Sequence, residues 1–250
     1  MIPCPTPKQF LRTCKKLSSN GARGLLLSGG YNAEGYVPFE PFLDAIERVK
    51  RETGLFISAH TGLMPRWLIH ELAGVGLDAA FFDVVGSNET IELVFGIERK
   101  ITEYKRTLKV LRREVRWVAP HVCIGLHKGK IVGEFEALEM ISAVDIDVLV
   151  FLVFVPTTGT AFENVQAPDP SAVSEVISKA REMFPTIPLT LGCMRPRVAG
   201  RIELELAALK AGVNRMEIPH KQTLGVARSM GLIVKRLDAC CAVPDTIAVD

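Results

Sequence analysis

The sequence predicts an α/β fold of repeated βα units, a TIM-barrel-like (βα) arrangement that is incomplete, missing its first strand. Three features lead there. Short apolar runs alternate with amphipathic segments along the chain, several runs are apolar at every position as strands covered on both faces are, and Gly, Pro, Asn or Asp marks most changeovers. At 250 residues, 48% hydrophobic and 23% charged, the chain suits one barrel, and residues 1–250 are read as a single domain.

The chain opens on a helix, "TPKQFLRTCKKLSSNG", with Thr6 as cap, Pro7 at the first helical position and Gly21 after the polar end. Seven strands follow: "RGLLLSGG", "LFISAH", "AAFFDVVG", "RWVAPHVCIG", "VLVFLVFVP", "PLTLGCMRP" and "RMEIP". A helical segment follows each, from "VPFEPFLDAIERVKRETG" to "QTLGVARSMG", with apolar residues at three- and four-residue spacing. A last strand, "LIVKRLDACCAV", is expected outside the main set.

Composition narrows the function. A formal charge of +2, with basic and acidic residues interleaved, argues against a nucleic-acid surface and for a small-molecule partner. The start "MIPCPTPKQF" has no basic segment leading into an apolar run, and no stretch reaches a membrane span, so a cytoplasmic location is expected. The six cysteines are sparse and irregular, which suits reduced thiols, and no C-x-x-C pair occurs.

In a right-handed array of βα units, strand ends and the loops after them gather on one face, where ligands bind. That face would carry Gly29, Gly30, His60, Asp83, His127, Thr157, Arg195 and His220. Ser28, Gly29 and Gly30 leave backbone open to an amino-acid or phosphate group, or make a sharp turn only. Gly125, Gly129 and Gly133 offer a second open backbone beside Glu134, which can order the loop or receive a polar ligand group.

His127 is read as a hydrogen-bonding residue ahead of a proton carrier. Thr157 and Thr160, flanking Gly159, can bind a polar substrate or brace their own loop. Cys193 and Arg195 alternate on one strand and can both point inward, where an arginine needs an anionic partner. On a strand, Cys240 and Cys241 point apart unless the backbone turns there. An acid–base aldolase or synthase would need a strand-end lysine or paired carboxylates; Lys128 sits among glycines and Asp83 lacks an acidic companion.

Taken in order, "LLLSGG", "HTGL", "FDVVGSNETI", "PHVCIGLHKGK", "FVPTTGTAF" and "LGCMRPR" resemble the radical S-adenosylmethionine superfamily, particularly its biotin-synthase-like and archaeal lipoyl-synthase-like barrels. The resemblance implies a barrel that holds S-adenosylmethionine against a [4Fe–4S] cluster and cleaves it to a 5′-deoxyadenosyl radical for C–H activation, with sulfur insertion in some relatives. It implies that Ser28, Gly29 and Gly30 receive the methionine amino group, that the loop Gly125, His127, Gly129 and Glu134 contacts adenine, and that Asp83 contacts ribose or substrate, with His60 also on the cofactor side. Thr157, Thr160 and Arg195 would face the substrate, and Cys193, Cys240 and Cys241 would hold an auxiliary cluster.

The family's partners would be a small-molecule substrate or carrier-bound acyl group and an electron donor such as ferredoxin. The C-x-x-x-C-x-x-C motif that holds the family's cluster is absent here, and Cys4 and Cys14 do not reproduce its spacing. That absence leaves two expectations: an enzyme whose motif and first strand lie upstream of Met1, or a non-catalytic barrel that binds S-adenosylmethionine or a partner without a cluster.

Overall fold

The computed structural model describes residues 1–248. Helix α1 spans Pro7–Ser19, capped by the Thr6 side chain on the Gln9 N–H, as the sequence predicts. The strands are β1 (Gly24–Leu27), β2 (Phe56–His60), β3 (Ala79–Asp83), β4 (Trp117–Ile124), β5 (Leu149–Val153), β6 (Leu189–Leu191) and β7 (Arg215–Met216). Between them lie α2 (Leu43–Thr53), α3 (Arg66–Gly74), α4 (Asn88–Phe95), α5 (Ile101–Glu114), α6 (Glu134–Ser142), α7 (Pro170–Met183) and α8 (Arg201–Lys210), with α9 (Lys221–Ser229) after the last strand. No helix among the described residues is long and apolar enough to cross a membrane.

The strands form one parallel sheet in the order β1 to β7, so each strand lies beside its sequence neighbours. This is the incomplete TIM-like barrel that the sequence predicts. One face packs on the helices through a large core that includes Ile57, Leu68, Phe82, Leu108, Leu138, Phe151 and Ile177. The other, inner face carries Ala79, Phe81, Ala119 and Val150, and against them pack Ala242 and Val243 from the end of the chain.

Register is pinned by a device that recurs three times. Asp78, just before β3, accepts from the Ile57 N–H of β2 at 2.7 Å and from Lys50 Nζ at 2.6 Å. Asp147, before β5, accepts from the Val118 N–H of β4 at 2.7 Å and from Arg112 at 2.8 Å. Asn214, before β7, accepts from the Leu189 N–H of β6 at 3.0 Å and from Arg181. The cations sit in the last turns of α2, α5 and α7, where they also meet unpaired carbonyls such as Leu55, Arg116 and Phe184.

The expected final strand is absent: residues 232–244 run without strand structure, followed by a helical turn, α10 (Asp245–Ala248). The reason lies in how their backbone is satisfied. Trp117 Nε1 donates to the Ala242 carbonyl at 2.8 Å, and Arg215 donates to the carbonyls of Cys241 at 3.1 Å and Val243 at 2.9 Å. Side chains rising from the feet of β4 and β7 thus replace a strand ladder, and the segment becomes a plug for the lower inner face. Strand β6 is also shorter than expected, ending at Leu191, so Cys193 and Arg195 lie beyond the alternation that would have turned both inward.

Replacing Asp147 by Ala removes the acceptor for a strand N–H and a guanidinium together. The expected loss is about 2 kcal/mol, the scale of a hydrogen bond to a charged group. Asp147→Asn, which keeps the oxygen as Asn214 does in the third clamp, is expected to lose less. Urea unfolding midpoints at unchanged slope read the difference.

Candidate functional site

Because side chains alternate along a strand, the residues that share the inner face with Phe81 are His60 on β2, Asp83 on β3, and His121 and Cys123 on β4. Asp83 lies opposite His121 in the β3–β4 register. The rings of His60 and His121 stand 5.3 Å apart, and Phe81 lies 5.6 Å from the first and 5.4 Å from the second. From the loop after β1, the Tyr31 hydroxyl reaches over to donate to Asp83 Oδ2 at 3.0 Å. Four successive βα units therefore contribute to one polar layer at the C-terminal ends of the strands, above the apolar layer of Phe81, Ala119 and Val150.

The protonation states follow from burial. His121 Nδ1 is 2.9 Å from the Ala119 carbonyl, which can only accept, so Nδ1 carries the proton and Nε2 keeps its lone pair. Burial lowers the His121 pKa to about 4 although the Asp83 charge pulls the other way, so the ring is neutral at physiological pH. The Cys123 thiol is pushed up by burial and then by Asp83 and Glu134, and the Tyr31 phenol by burial and then by Asp83. Asp83 forms no ion pair with Lys or Arg among the described residues.

At the end of β1, Ser28, Gly29 and Gly30 are exposed, and a Cβ built on Gly30 would meet nothing within 4 Å. The backbone is open at Gly30, whereas a Cβ on Gly29 would come within 3.1 Å of Val37. Below it, a groove of about 590 Å³ runs along the free side of β1 past Leu26, Phe56 and Ser58 to Cys240 and Val243. Ser58, which lines the groove, and His60, in the polar layer, face the same way two residues apart on β2.

The second glycine loop corrects an expectation. Gly125, Gly129 and Gly133 all adopt positive φ, but the space their side chains would fill holds the protein itself: Pro168 against Gly125, the Gln166 carbonyl against Gly129, and Gly86 and Ser87 against Gly133. Glu134 is 4% exposed, and its Oε1 accepts from the Gly125 N–H at 2.8 Å, so it orders the turn instead of facing a ligand. His127 Nδ1 lies 3.0 Å from Thr90 Oγ1 on α4, a hydrogen-bonding role as read from the sequence. The cavity beside Glu134 is about 10 Å³, far below the size of a nucleoside.

Thr157 and Thr160 spend their hydroxyls on the Val155 and Thr157 carbonyls, the bracing alternative for that loop. Arg195 is turned into the protein, beside the next helix. Its guanidinium is fully buried and meets Glu205 Oε1 at 2.9 Å and the Gly192 and Glu217 carbonyls at 2.5 and 2.6 Å. Burial alone would raise the Glu205 pKa, but Arg201, the His220 N–H, Arg195 and Thr223 together hold it down to about 2. His220 caps α9.

The backbone turns at Cys241 and Ala242, so the strand alternation that would point Cys240 and Cys241 apart does not apply there. The interaction of the neighbouring thiols lowers the Cys240 pKa to about 7 and pushes Cys241 up. The three cysteines share a neighbourhood, but no group of three or more His, Cys, Asp and Glu among the described residues is arranged to hold a metal ion.

Sequence reasoning passed over His121, Cys123 and Tyr31. The first two had a signal: on an eight-residue strand that starts at Trp117, positions 121 and 123 share a face with each other. Tyr31 had none, because only the folded loop brings it 52 residues along the chain to Asp83.

No family model matches the chain, and no curated protein matches it. Among solved structures, methylornithine synthase (PylB) is similar at TM-score 0.63 and 19% identity, over 92% of this chain and 73% of that one. The FeFe-hydrogenase maturase HydG from Carboxydothermus hydrogenoformans is similar at TM-score 0.66 and 12% identity, over 95% of this chain and 61% of that one. The HMG-CoA lyase of Bacillus subtilis is similar at TM-score 0.59 and 12% identity, over 91% of this chain and 80% of that one. At such identities the likeness is one of fold, and a synthase, a maturase and a lyase share it, so function has to be argued from the site.

Burial raises the Glu134 pKa above the usual carboxylate range, against the pull of the Gly125 N–H. A raised folded-state pKa means that the folded protein holds the proton more tightly than the unfolded one, so this contribution to stability is complete in acid and lost as pH rises through the folded pKa. Glu134→Gln keeps the acceptor without the charge. Denaturation at a series of pH values is expected to show the variant gaining on the native protein from acid toward neutral pH and levelling off above.

Proposed function

We propose that this chain is the barrel core of a radical S-adenosylmethionine enzyme of biotin- or lipoyl-synthase type, with S-adenosylmethionine seated across the mouth of the half-barrel. The carrying observation is that Ser28, Gly29 and Gly30, His60 and Asp83, on three successive strands or just beyond them, converge at one end of one sheet. The ordered motifs of the sequence and a fold shared with methylornithine synthase and HydG support the same reading. In it, the open backbone at Gly30 takes the methionine amino group, and Asp83 stands where ribose or substrate would reach. The substrate is a small molecule or a carrier-bound acyl group, and the electron donor is a protein such as ferredoxin.

A [4Fe–4S] cluster does not fit the described residues. The three-cysteine spacing is absent, and no group of three metal-ligating side chains is arranged around a common point among them. No reductive or sulfur-transferring step is derived from this chain, and the auxiliary-cluster role of Cys193, Cys240 and Cys241 rests on resemblance alone. The same observation favours a second reading, a barrel that binds S-adenosylmethionine or a partner without reducing it.

Calorimetric titration with S-adenosylmethionine tests the seat. Gly30→Phe starts a bulky side chain where a Cβ meets nothing within 4 Å and is expected to weaken binding at least about tenfold, about 1.4 kcal/mol, with thermal stability unchanged. Undetectable binding to the native chain would end this reading. Iron and acid-labile sulfide counted after anaerobic reconstitution of the chain expressed together with whatever coding sequence precedes Met1 then separate the two readings: the enzyme core gains a cluster there that the 250-residue chain does not hold, and the non-reducing barrel gains none.

A further inference from the structure

Building on the mouth as a ligand site, we propose that its polar layer receives the primary ammonium group of a small amine substrate, with Asp83 and His121 Nε2 as the two acceptors. Asp83 takes one hydrogen bond, from Tyr31 to Oδ2, which leaves Oδ1 available. His121 is only 5% exposed, its Nδ1 proton is committed to Ala119, and its Nε2 has no hydrogen-bond partner among the described residues. The two residues lie opposite each other on adjacent strands and face the same way, so the two free acceptors line one spot.

The chemistry of that spot selects its ligand. Two acceptors side by side favour a group rich in N–H or O–H, and a carboxylate in partly buried surroundings favours the cation over a neutral hydroxyl. A bare metal ion is disfavoured because His60, Asp83 and His121 are not arranged around one point. Arg215, near the sheet's foot, is matched by Asp245, and no ion pair among the described residues joins a Lys or Arg to Asp83. Phe81 floors the layer and Leu152, beside Cys123, walls it, so methylenes next to the ammonium have apolar surface to lie on.

The test uses the full chain and defined probes. L-ornithine, L-lysine and 1,5-diaminopentane are titrated calorimetrically against 1,5-pentanediol, which has hydroxyls in place of the amines, and S-adenosylmethionine is titrated in parallel. Expected are binding of at least one amine, a diol at least about tenfold weaker, and loss of about 10- to 100-fold in amine affinity on Asp83→Asn, the range of a charge-assisted hydrogen bond. His121→Gln, which keeps an acceptor, is expected to bind better than His121→Leu; melting temperatures taken first exclude unfolded variants. Equal affinity for diol and diamine, an unchanged Asp83→Asn, or no amine binding overturns the proposal, whatever S-adenosylmethionine does. Amine binding that depends on Asp83, with no S-adenosylmethionine binding, upholds it while removing the cofactor reading.

Discussion

An oxygen of Asp78, Asp147 or Asn214, placed one or two residues before a strand, holds an N–H at the foot of the strand beside it, and a cation from the helix that precedes that neighbouring strand holds the oxygen. A parallel sheet has no hairpin to set its register, and a slip by one residue would turn every inward side chain outward. The three clamps remove that freedom at the feet of β2, β4 and β6. The arrangement higher on the strands, Phe81 inward and Phe82 outward, Asp83 opposite His121, depends on this anchoring.

A half-barrel has a second requirement, cover for its inner face. Residues 239–247 supply it, held by Trp117 and Arg215, and they meet the same apolar layer that floors the polar one. The inner face is thus stratified from bottom to top: plug, apolar layer, then histidines, thiol and carboxylate. Burial on such a floor is what keeps His121 neutral against the pull of the Asp83 charge.

Much of this was readable in the sequence, and the rest failed for identifiable reasons. Caps and continuous apolar runs announce helices and buried strands locally, so Thr6, Pro7 and all seven strands were placed correctly. The run "LIVKRLDACCAV" looks like a strand because apolar content does not say which groups will satisfy its backbone; here side chains of β4 and β7 do. A glycine reports a missing side chain but not what occupies the space, which is why Gly30 is open while Gly125, Gly129 and Gly133 are packed by their own chain. Arg195 signals a buried anion, and nothing local identifies that anion as Glu205 of the next helix.

The clamps join strands two by two, β2 with β3, β4 with β5, β6 with β7, and none of the three spans a boundary between pairs. Each strand couplet with its helices therefore carries its own alignment key. Such a unit can be copied, exchanged or inserted by recombination without re-solving how its strands line up, and it is the natural increment by which a sheet of this kind is enlarged or diversified over evolutionary time.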